Sequence, residues 1–249
     1  MKRATSSSPV RLFVDVQLQA DVPILLDGNA GHYLVNVMRC KEGDEIVLFN
    51  GFDGEWVATI VQVGKGKARL VVDTQRQMQQ QEGDLWLLFA PIKKARLDYM
   101  IQKATELGAS LIQAVLTQRT NLDRVKQDRM QANAIEAAEQ CERMTVPEVR
   151  EPVALFKVLE QWPDDRTLFF CDEGGNAMTI WAAGAEREKL LPKAAILIGP
   201  EGGFSDDERA ALRALPYVVP ITLGPRILRA DTAAVAAMAL YQSSMGDWC

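Results

Sequence analysis

The sequence has 249 residues, of which 48% are hydrophobic and 24% charged, as in a globular protein that buries a substantial core. Its 28 Lys and Arg against 33 Asp and Glu give a net charge of −5, so nucleic-acid binding must use local basic patches. One histidine, four widely spaced cysteines and the absence of an apolar run near 18 residues argue against a metal site, a disulfide framework or a membrane span. The first ten residues lack the apolar region of a secretory signal, so we expect a cytoplasmic protein.

The first 75 residues are predicted to form a β-rich domain. Its strands are separated by short segments rich in Gly, Asn and Asp, a spacing typical of a small antiparallel sheet or barrel. The predicted strands are residues 45–49, 55–63 and 68–72. The polar, glutamine-rich segment 74–84 is predicted to be a linker, or else an exposed last strand with its turn.

Strands and helices alternate from Leu85 onward. This alternation predicts an α/β domain over residues 76–249, with a mostly parallel sheet covered by helices on both faces. The predicted strands are residues 85–92, 111–116, 167–171, 194–198 and 218–222. The predicted helices are residues 97–108, closed by Gly108, and roughly 123–143.

Two glycine-containing loops near the C terminus each lead from an apolar strand into the start of a helix. In residues 197–208, Ser205 and Glu208 have the spacing of a capping box. In residues 221–234, two arginines flank an apolar pair, and Asp231 or Thr232 is predicted to cap a final helix so apolar that it must be buried in a core or a subunit interface. Bare glycine backbone and helix starts favour ligands and anions, so the loops predict a ligand pocket. A tight turn without a ligand, and solvated arginines, are the alternatives.

With these motifs, the chain resembles the ribosomal RNA small subunit methyltransferase E family of the SPOUT (trefoil-knot) methyltransferases. The resemblance runs in order through nearly all of residues 11–249. It is carried by LIGPEGG (197–203), LGPRILRADTAA (223–234), IQKATELG (101–108), AAEQCER (137–143), RLFV (11–14) and HYLVNVMRCKEGDEI (32–46). It implies an N-terminal PUA-like β-barrel that helps to hold RNA. It also implies a C-terminal SPOUT α/β trefoil-knot domain, with the knot and a homodimer interface near residues 195–245.

The resemblance further implies S-adenosylmethionine as the cofactor and N3 of one uridine in 16S rRNA of the small subunit (uridine 1498 in the usual rRNA numbering) as the methylated atom. The implied cofactor-binding residues are Leu197, Gly199, Pro200, Glu201, Gly202, Leu223, Gly224, Ile227, Leu228, Thr232 and Ala233. Arg229 or Arg226 is expected to stabilise the uracil anion. Asp231 is a candidate base, although a helix cap or an arginine partner fits it better, and the family usually has Glu there.

Basic residues in both halves are candidates for RNA contacts, with a solvated charge as the alternative for each. They are Arg11, His32, Arg39, Lys93, Lys94 and Arg96, with the hairpin residues Lys65, Lys67 and Arg69 as weaker candidates. Glu139, Gln140 and Arg143 are expected to form either a polar network near the site or helix-surface pairs. Two other functions stay open: methylation of another rRNA or tRNA nucleotide, and a non-catalytic RNA-binding assembly factor. A dehydrogenase or kinase is disfavoured, because residues 91–96 lack the phosphate-binding glycine motifs.

Overall fold

The computed structural model describes residues 9–120, 125–172 and 177–249, with the side chain of Lys94 left undescribed. The chain divides into two compact units. The first comprises Met1–Gln81 and Ala138–Thr145, and the second comprises Glu82–Ala137 and Val146–Cys249. The division after Gln81 lies six residues beyond the predicted boundary (81 − 75), and the segment Ala138–Thr145 was not predicted to belong to the first unit.

The first unit contains a five-stranded sheet in the order β1-β3-β4-β5-β2. Its strands are β1 (Arg11–Phe13), β2 (Pro23–Leu26), β3 (Glu45–Phe49), β4 (Glu55–Gly64) and β5 (Lys67–Gln77). The three predicted strands are thus confirmed as β3, β4 and β5. The pairings are antiparallel except for β1 with β3, which is parallel. The antiparallel pairing predicted for β3, β4 and β5 is confirmed. The parallel pairing of β1 with β3 was not predicted, and the long segment between these two strands allows the chain to return in the same direction.

A short helical segment that the sequence did not predict packs on this sheet. Helix α1 (Gly28–His32) continues into a π-helical turn at Tyr33–Val37. A Cβ atom on Gly31 would lie 2.5 Å from the carbonyl oxygen of Gly66, so only glycine lets the helix approach the β4–β5 turn. The core beneath it is aliphatic and comprises, among others, Leu34, Ile46, Leu48, Ile60, Leu70 and Val72.

The second unit contains a seven-stranded sheet in the order β10-β12-β9-β11-β6-β7-β8, and every pairing is parallel. Its strands are β6 (Leu85–Phe89), β7 (Ala109–Leu116), β8 (Glu148–Ala154), β9 (Arg166–Cys171), β10 (Met178–Thr179), β11 (Lys193–Ile198) and β12 (Val218–Thr222). The predicted parallel α/β domain is confirmed. The two strands that were not predicted, β8 and β10, lie at the sheet edges, where partial exposure weakens the apolar pattern.

The helices of this unit are α2 (Lys94–Glu106), α3 (Gln127–Gln140), α4 (Leu155–Leu159), α5 (Ile180–Ala185), α6 (Asp206–Arg213) and α7 (Ala230–Ser244). Helix α2 buries Leu97, Ile101 and Ala104 as predicted, and Gly108 follows it with φ +84°. The predicted start of α3 at residue 123 lies outside the described residues. None of the described helices is long and apolar enough to cross a membrane.

The last helix, α7, packs on α2 and α5, which confirms the predicted burial. Its inner face comprises Ala233, Ala234, Ala237 and Met238. Near its end, Gln242 Nε2 donates to the carbonyl oxygen of Leu107 at 2.8 Å, which fixes α7 to the end of α2. Several apolar residues on α7 keep partial exposure within one chain, among them Val235, Ala236, Ala239 and Leu240.

A buried arginine ties together the amino ends of the central strands. Arg166, only 1% exposed, stacks on the ring of Trp86 with 3.7 Å between the guanidinium carbon and the ring centroid. It donates to the carboxylate of Asp84 at 2.6 Å and to the carbonyl oxygen of Ala194 at 2.7 Å. Its charge is thus paired although the side chain is inside the protein, as burial requires.

Candidate active site

A cleft of about 270 Å³ lies at the carboxyl ends of three neighbouring strands, β12, β9 and β11. Ligands of open α/β sheets bind at this edge, where successive connections leave in opposite directions. The connection from β11 to β12 passes β9 in the sheet order, so both late glycine loops meet at the cleft. The sequence predicted a pocket from these loops, and the structure brings them together.

The first loop is held rigidly. A Cβ atom on Gly199 would lie 2.5 Å from the ring of Phe204, so glycine is needed for this ring to close over the backbone. The predicted capping box at the start of α6 is confirmed, with Ser205 Oγ accepting from the Glu208 amide at 3.1 Å and Glu208 Oε2 accepting from the Ser205 amide at 2.9 Å. The other oxygen of Glu208 accepts from the amide of Gln118 at 2.7 Å, which joins this loop to the end of β7.

Two arginines, one in the first turn of α2 and one just after β7, contact the same loop. Arg96 Nη1 pairs with Glu201 Oε1 at 3.1 Å, and both side chains are partly exposed. Arg119 Nη1 donates to the carbonyl oxygen of Gly202 at 3.0 Å. Arg119 was not predicted to lie at the site, because an isolated arginine just after a strand carries no motif of its own. Beside this loop there are therefore one arginine paired with Glu201 and one exposed arginine, Arg119.

The second loop presents bare backbone and apolar side chains. Gly224 has φ +107°, and no atom lies within 4 Å of the position that a Cβ would take. Its amide donates to Thr222 Oγ1 at 3.2 Å, which shapes the turn. Ile227 is 85% exposed, while Leu223 and Leu228 are half-buried beside it. A large aliphatic side chain left so exposed at a cleft favours an apolar ligand surface.

Of the three predicted catalytic residues, two arginines lie at the cleft, and Asp231 lies in the first turn of α7. Arg226 and Arg229 are exposed and line the cleft. Helix α7 begins at Ala230 with Arg229 as its N-cap residue, so the predicted cap by Asp231 or Thr232 is wrong. The physical reason is that Asp231 already lies in the first turn, where its Oδ1 accepts from the Thr232 amide at 3.0 Å and its charge complements the helix dipole.

One wall of the cleft consists of residues that were not predicted from the sequence. Cys171 and Asp172 end β9, and Arg209 on α6 lies beside them. Burial raises the pKa of the Cys171 thiol to about 12, so this thiol stays protonated at neutral pH. Asp172 is buried and pairs with Arg209 and Arg213. The sequence did not predict that these three residues meet, because a single carboxylate after a strand and two arginines on a helix form no recognisable motif.

Eight of the predicted cofactor residues are among the described residues that line the cleft: Gly199, Pro200, Glu201, Leu223, Gly224, Ile227, Leu228 and Ala233. The structure gives Leu197 a different place, because its side chain is fully buried in the core on one face of the sheet and cannot flank a ring. Gly202 and Thr232 are exposed next to the lining residues.

The predicted RNA-binding residues of the first unit also differ in their surroundings. His32 and Arg39 are exposed, and His32 Nδ1 lies 2.8 Å from Asn36 Nδ2. Arg11 is not available for RNA: its side chain is 7% exposed and pairs with Glu55 at 2.5 Å. It also donates to the carbonyl oxygens of Ala138 and Arg143, so it fastens the segment 138–145 to β1. Glu139 accepts from the Phe13 amide at 3.0 Å and thus helps to hold this segment to β1, whereas a polar network near the site or helix-surface pairs were predicted.

In the second unit, Lys93 is exposed at the N-cap position of α2 and Arg96 contacts Glu201. The side chain of Lys94 lies outside the described part of the chain. No group of His, Cys, Asp and Glu residues that could hold a metal ion occurs among the described residues.

The fold, the cleft and the family models define the class of protein. Residues 79–242 match a family described as an RNA methyltransferase domain, and residues 26–73 match an RNA methyltransferase PUA domain. The second unit has the SPOUT fold, and the first is PUA-like, as the resemblance implied. More particularly, the chain is 30% identical over 243 residues to the ribosomal RNA small subunit methyltransferase E of Rickettsia conorii, covering 96% of this chain and 97% of that protein. The chain therefore belongs to the ribosomal RNA small subunit methyltransferase E family.

Two solved structures agree with this assignment. The crystal structure of a ribosomal RNA small subunit methyltransferase E from Neisseria gonorrhoeae bound to S-adenosyl methionine has a TM-score of 0.87 and 26% identity, covering 97% of this chain and all of that chain. The structure of a putative methyltransferase from Legionella pneumophila with bound SAM has a TM-score of 0.85 and 28% identity, covering 94% of this chain and 97% of that chain.

Proposed function

We propose that this protein methylates N3 of one uridine, position 1498 in the usual numbering, in 16S rRNA of the small ribosomal subunit, with S-adenosylmethionine as the methyl donor. The observation that carries the proposal is the cleft in which both late glycine loops meet and expose Ile227 between two arginines. Family membership and the cofactor-bound neighbours support the same activity.

The cleft residues fit this cofactor. The bare backbone at Gly224 leaves room for a flat ring, and Ile227, Leu223 and Leu228 supply the apolar surface that such a ring needs. S-adenosylmethionine supplies an electrophilic methyl group on a sulfonium, so no metal is required for the transfer. The protein's task is to hold donor and nucleotide in line, which alone contributes many orders of magnitude in rate.

The two arginines of the second loop stabilise the charge that develops on the uracil during methyl transfer. Uracil N3 bears a proton and becomes a good nucleophile only as this proton leaves, so negative charge develops on the neighbouring carbonyl oxygens. Arg226 and Arg229 line the cleft and stabilise that charge. Asp231 lies in the first turn of α7, bonded to its own helix, and the Cys171 thiol stays protonated, so neither is assigned as the base. The N3 proton passes to hydroxide or water from the solvent, and the methyl group leaves the sulfonium for N3.

Exposed basic residues in each unit bind the RNA backbone. In the second unit they are Lys93 and Arg119, together with the partly exposed Arg96, and in the first unit they are His32 and Arg39. Such contacts position the RNA without reading its sequence. The protein works in the cytoplasm as a homodimer, whose contact includes the partly exposed apolar residues of α7.

The decisive experiment is incubation of the protein with radiolabelled S-adenosylmethionine and small ribosomal subunits from a strain that lacks this gene. The RNA is then digested and the labelled nucleoside identified. We expect label in N3-methyluridine, and none with subunits from the parent strain, whose site is already methylated. Label in another nucleoside would move the activity to a different target, and no label in RNA would favour a non-catalytic assembly factor.

A further inference from the structure

At the wall of the cleft formed by the end of β9 and by α6, a buried carboxylate pairs with two arginines. Asp172 has a side chain only 1% exposed, with Oδ2 at 2.7 and 2.8 Å from two nitrogens of Arg213. Its other oxygen, Oδ1, lies 3.3 Å from Arg209 Nε. One buried carboxylate thus faces two guanidinium groups, those of Arg209 and Arg213.

The two arginines of this cluster are not equivalent. Arg213 makes the short contacts with Asp172 and is not among the described residues that line the cleft. Arg209 lines the cleft, and its buried Nε makes no hydrogen bond of good geometry, although it lies within ion-pairing distance of Asp172. Arg209 is therefore held in place by the charge of Asp172, and its side chain, which is 30% exposed, forms part of the cleft lining.

The position of Arg209 suits a small anionic group better than an RNA backbone. The Arg209 side chain is partly buried and lines the cleft, whereas Arg226 and Arg229 are exposed on the neighbouring loop. A planar guanidinium binds a carboxylate through two parallel hydrogen bonds, and partial burial strengthens such a contact. Glu201, the other acidic residue of the described lining, is already paired with Arg96.

We propose that Arg209, positioned by Asp172, binds the carboxylate of the methionine part of S-adenosylmethionine. This inference rests on the proposed function, because it takes the cleft as the site of that cofactor. It gives the cleft two ends with separate tasks. The second glycine loop holds the ring through apolar contact, and the β9–α6 wall holds the amino-acid end through charge.

The test combines a truncated ligand with variants of the two arginines. 5′-Methylthioadenosine keeps the adenosine and the sulfur of the cofactor but lacks the amino-acid part. Isothermal titration calorimetry with Arg209→Gln should show affinity for S-adenosylmethionine reduced about ten-fold or more. Affinity for 5′-methylthioadenosine should stay within two-fold. Arg209→Lys, which keeps the charge without the planar fork, should recover part of the lost affinity.

Arg213→Gln is the matched control, since it removes the other partner of Asp172 from a position outside the described lining. It should change the affinities for both ligands by the same factor. Equal weakening of both ligands by Arg209→Gln would mean that Arg209 only supports the loop, and unchanged binding of both would remove it from the site. Loss of small-subunit binding with intact cofactor binding would assign Arg209 to an RNA phosphate instead. Each of these results overturns the proposal, whereas failure of the unaltered protein to bind S-adenosylmethionine at all would overturn the proposed function itself.

Discussion

Replacing Ile227 by alanine separates ligand binding from folding at the second glycine loop. Ile227 is 85% exposed in the protein alone, so its side chain contributes little to the folded core. An exposed substitution of this kind changes the free energy of unfolding by less than about 0.5 kcal/mol. If an adenine ring covers Ile227 in the complex, the same substitution removes a contact that exists only with the ligand bound.

The expected loss follows from the exposed area. Full burial of an isoleucine side chain contributes about 2 kcal/mol. A ring that covers roughly half of the exposed surface would therefore gain about 1 kcal/mol from Ile227, which corresponds to about a five-fold change in dissociation constant. We expect Ile227→Ala to weaken S-adenosylmethionine by about this factor with an unchanged melting temperature.

Calorimetric titration and thermal denaturation of the same preparation measure the two quantities. Leu25→Ala is the matched control, because Leu25 is an exposed aliphatic residue of the first unit and should change neither. An unchanged cofactor affinity in Ile227→Ala would refute the assignment of this side chain to the ring. A lowered melting temperature would instead show that Ile227 supports the loop.

Three further substitutions test other parts of the molecule. Arg229→Ala should lower single-turnover methyl transfer at least about 100-fold while cofactor affinity stays within a few-fold, and a parallel fall in affinity would contradict its role at the uracil. Asp84→Asn should flatten the acid limb of stability, measured by urea unfolding between about pH 5 and 2. Burial acts to raise the pKa of Asp84, but hydrogen bonds from Arg166 and nearby positive charges outweigh it, so the pKa is lowered. This stabilisation is present above the pKa of an unfolded aspartate and is lost as pH falls through the lower folded value, so an equal slope in the variant would argue against it. Arg11→Met should cost about 3–5 kcal/mol in unfolding free energy, because it leaves the buried Glu55 carboxylate poorly compensated, and Arg11→Met combined with Glu55→Gln should recover part of that loss. Reduced RNA affinity without a stability change would instead restore the predicted RNA contact.

The sequence was sufficient where local patterns and packing agree. The long apolar strands and the face of α2 around Ile101 follow from periodicity, and the Ser205–Glu208 box follows from spacing, because each is decided by residues close in the chain. The edge strands and the helical segment at Gly28–Val37 were missed. Their formation depends on neighbours far away in sequence, such as Gly66 against Gly31, and short elements carry too few residues for a periodic pattern.

The positions of two arginines, Arg11 and Arg209, could not be predicted from the sequence. Arg11 was predicted to contact RNA, yet the protein buries it on Glu55 and on the carbonyl oxygens of Ala138 and Arg143. Arg209 was not predicted as a site residue, yet it lines the cleft, where it pairs with Asp172 at the end of β9. Each arginine is positioned by a carboxylate far away in the sequence: Asp172 is 37 residues from Arg209 (209 − 172), and Glu55 is 44 residues from Arg11. A pattern of neighbouring residues therefore could not reveal either pair. Since a guanidinium cannot lose its charge, the tertiary position of the nearest carboxylate decides whether it becomes a structural clamp or a ligand-binding group.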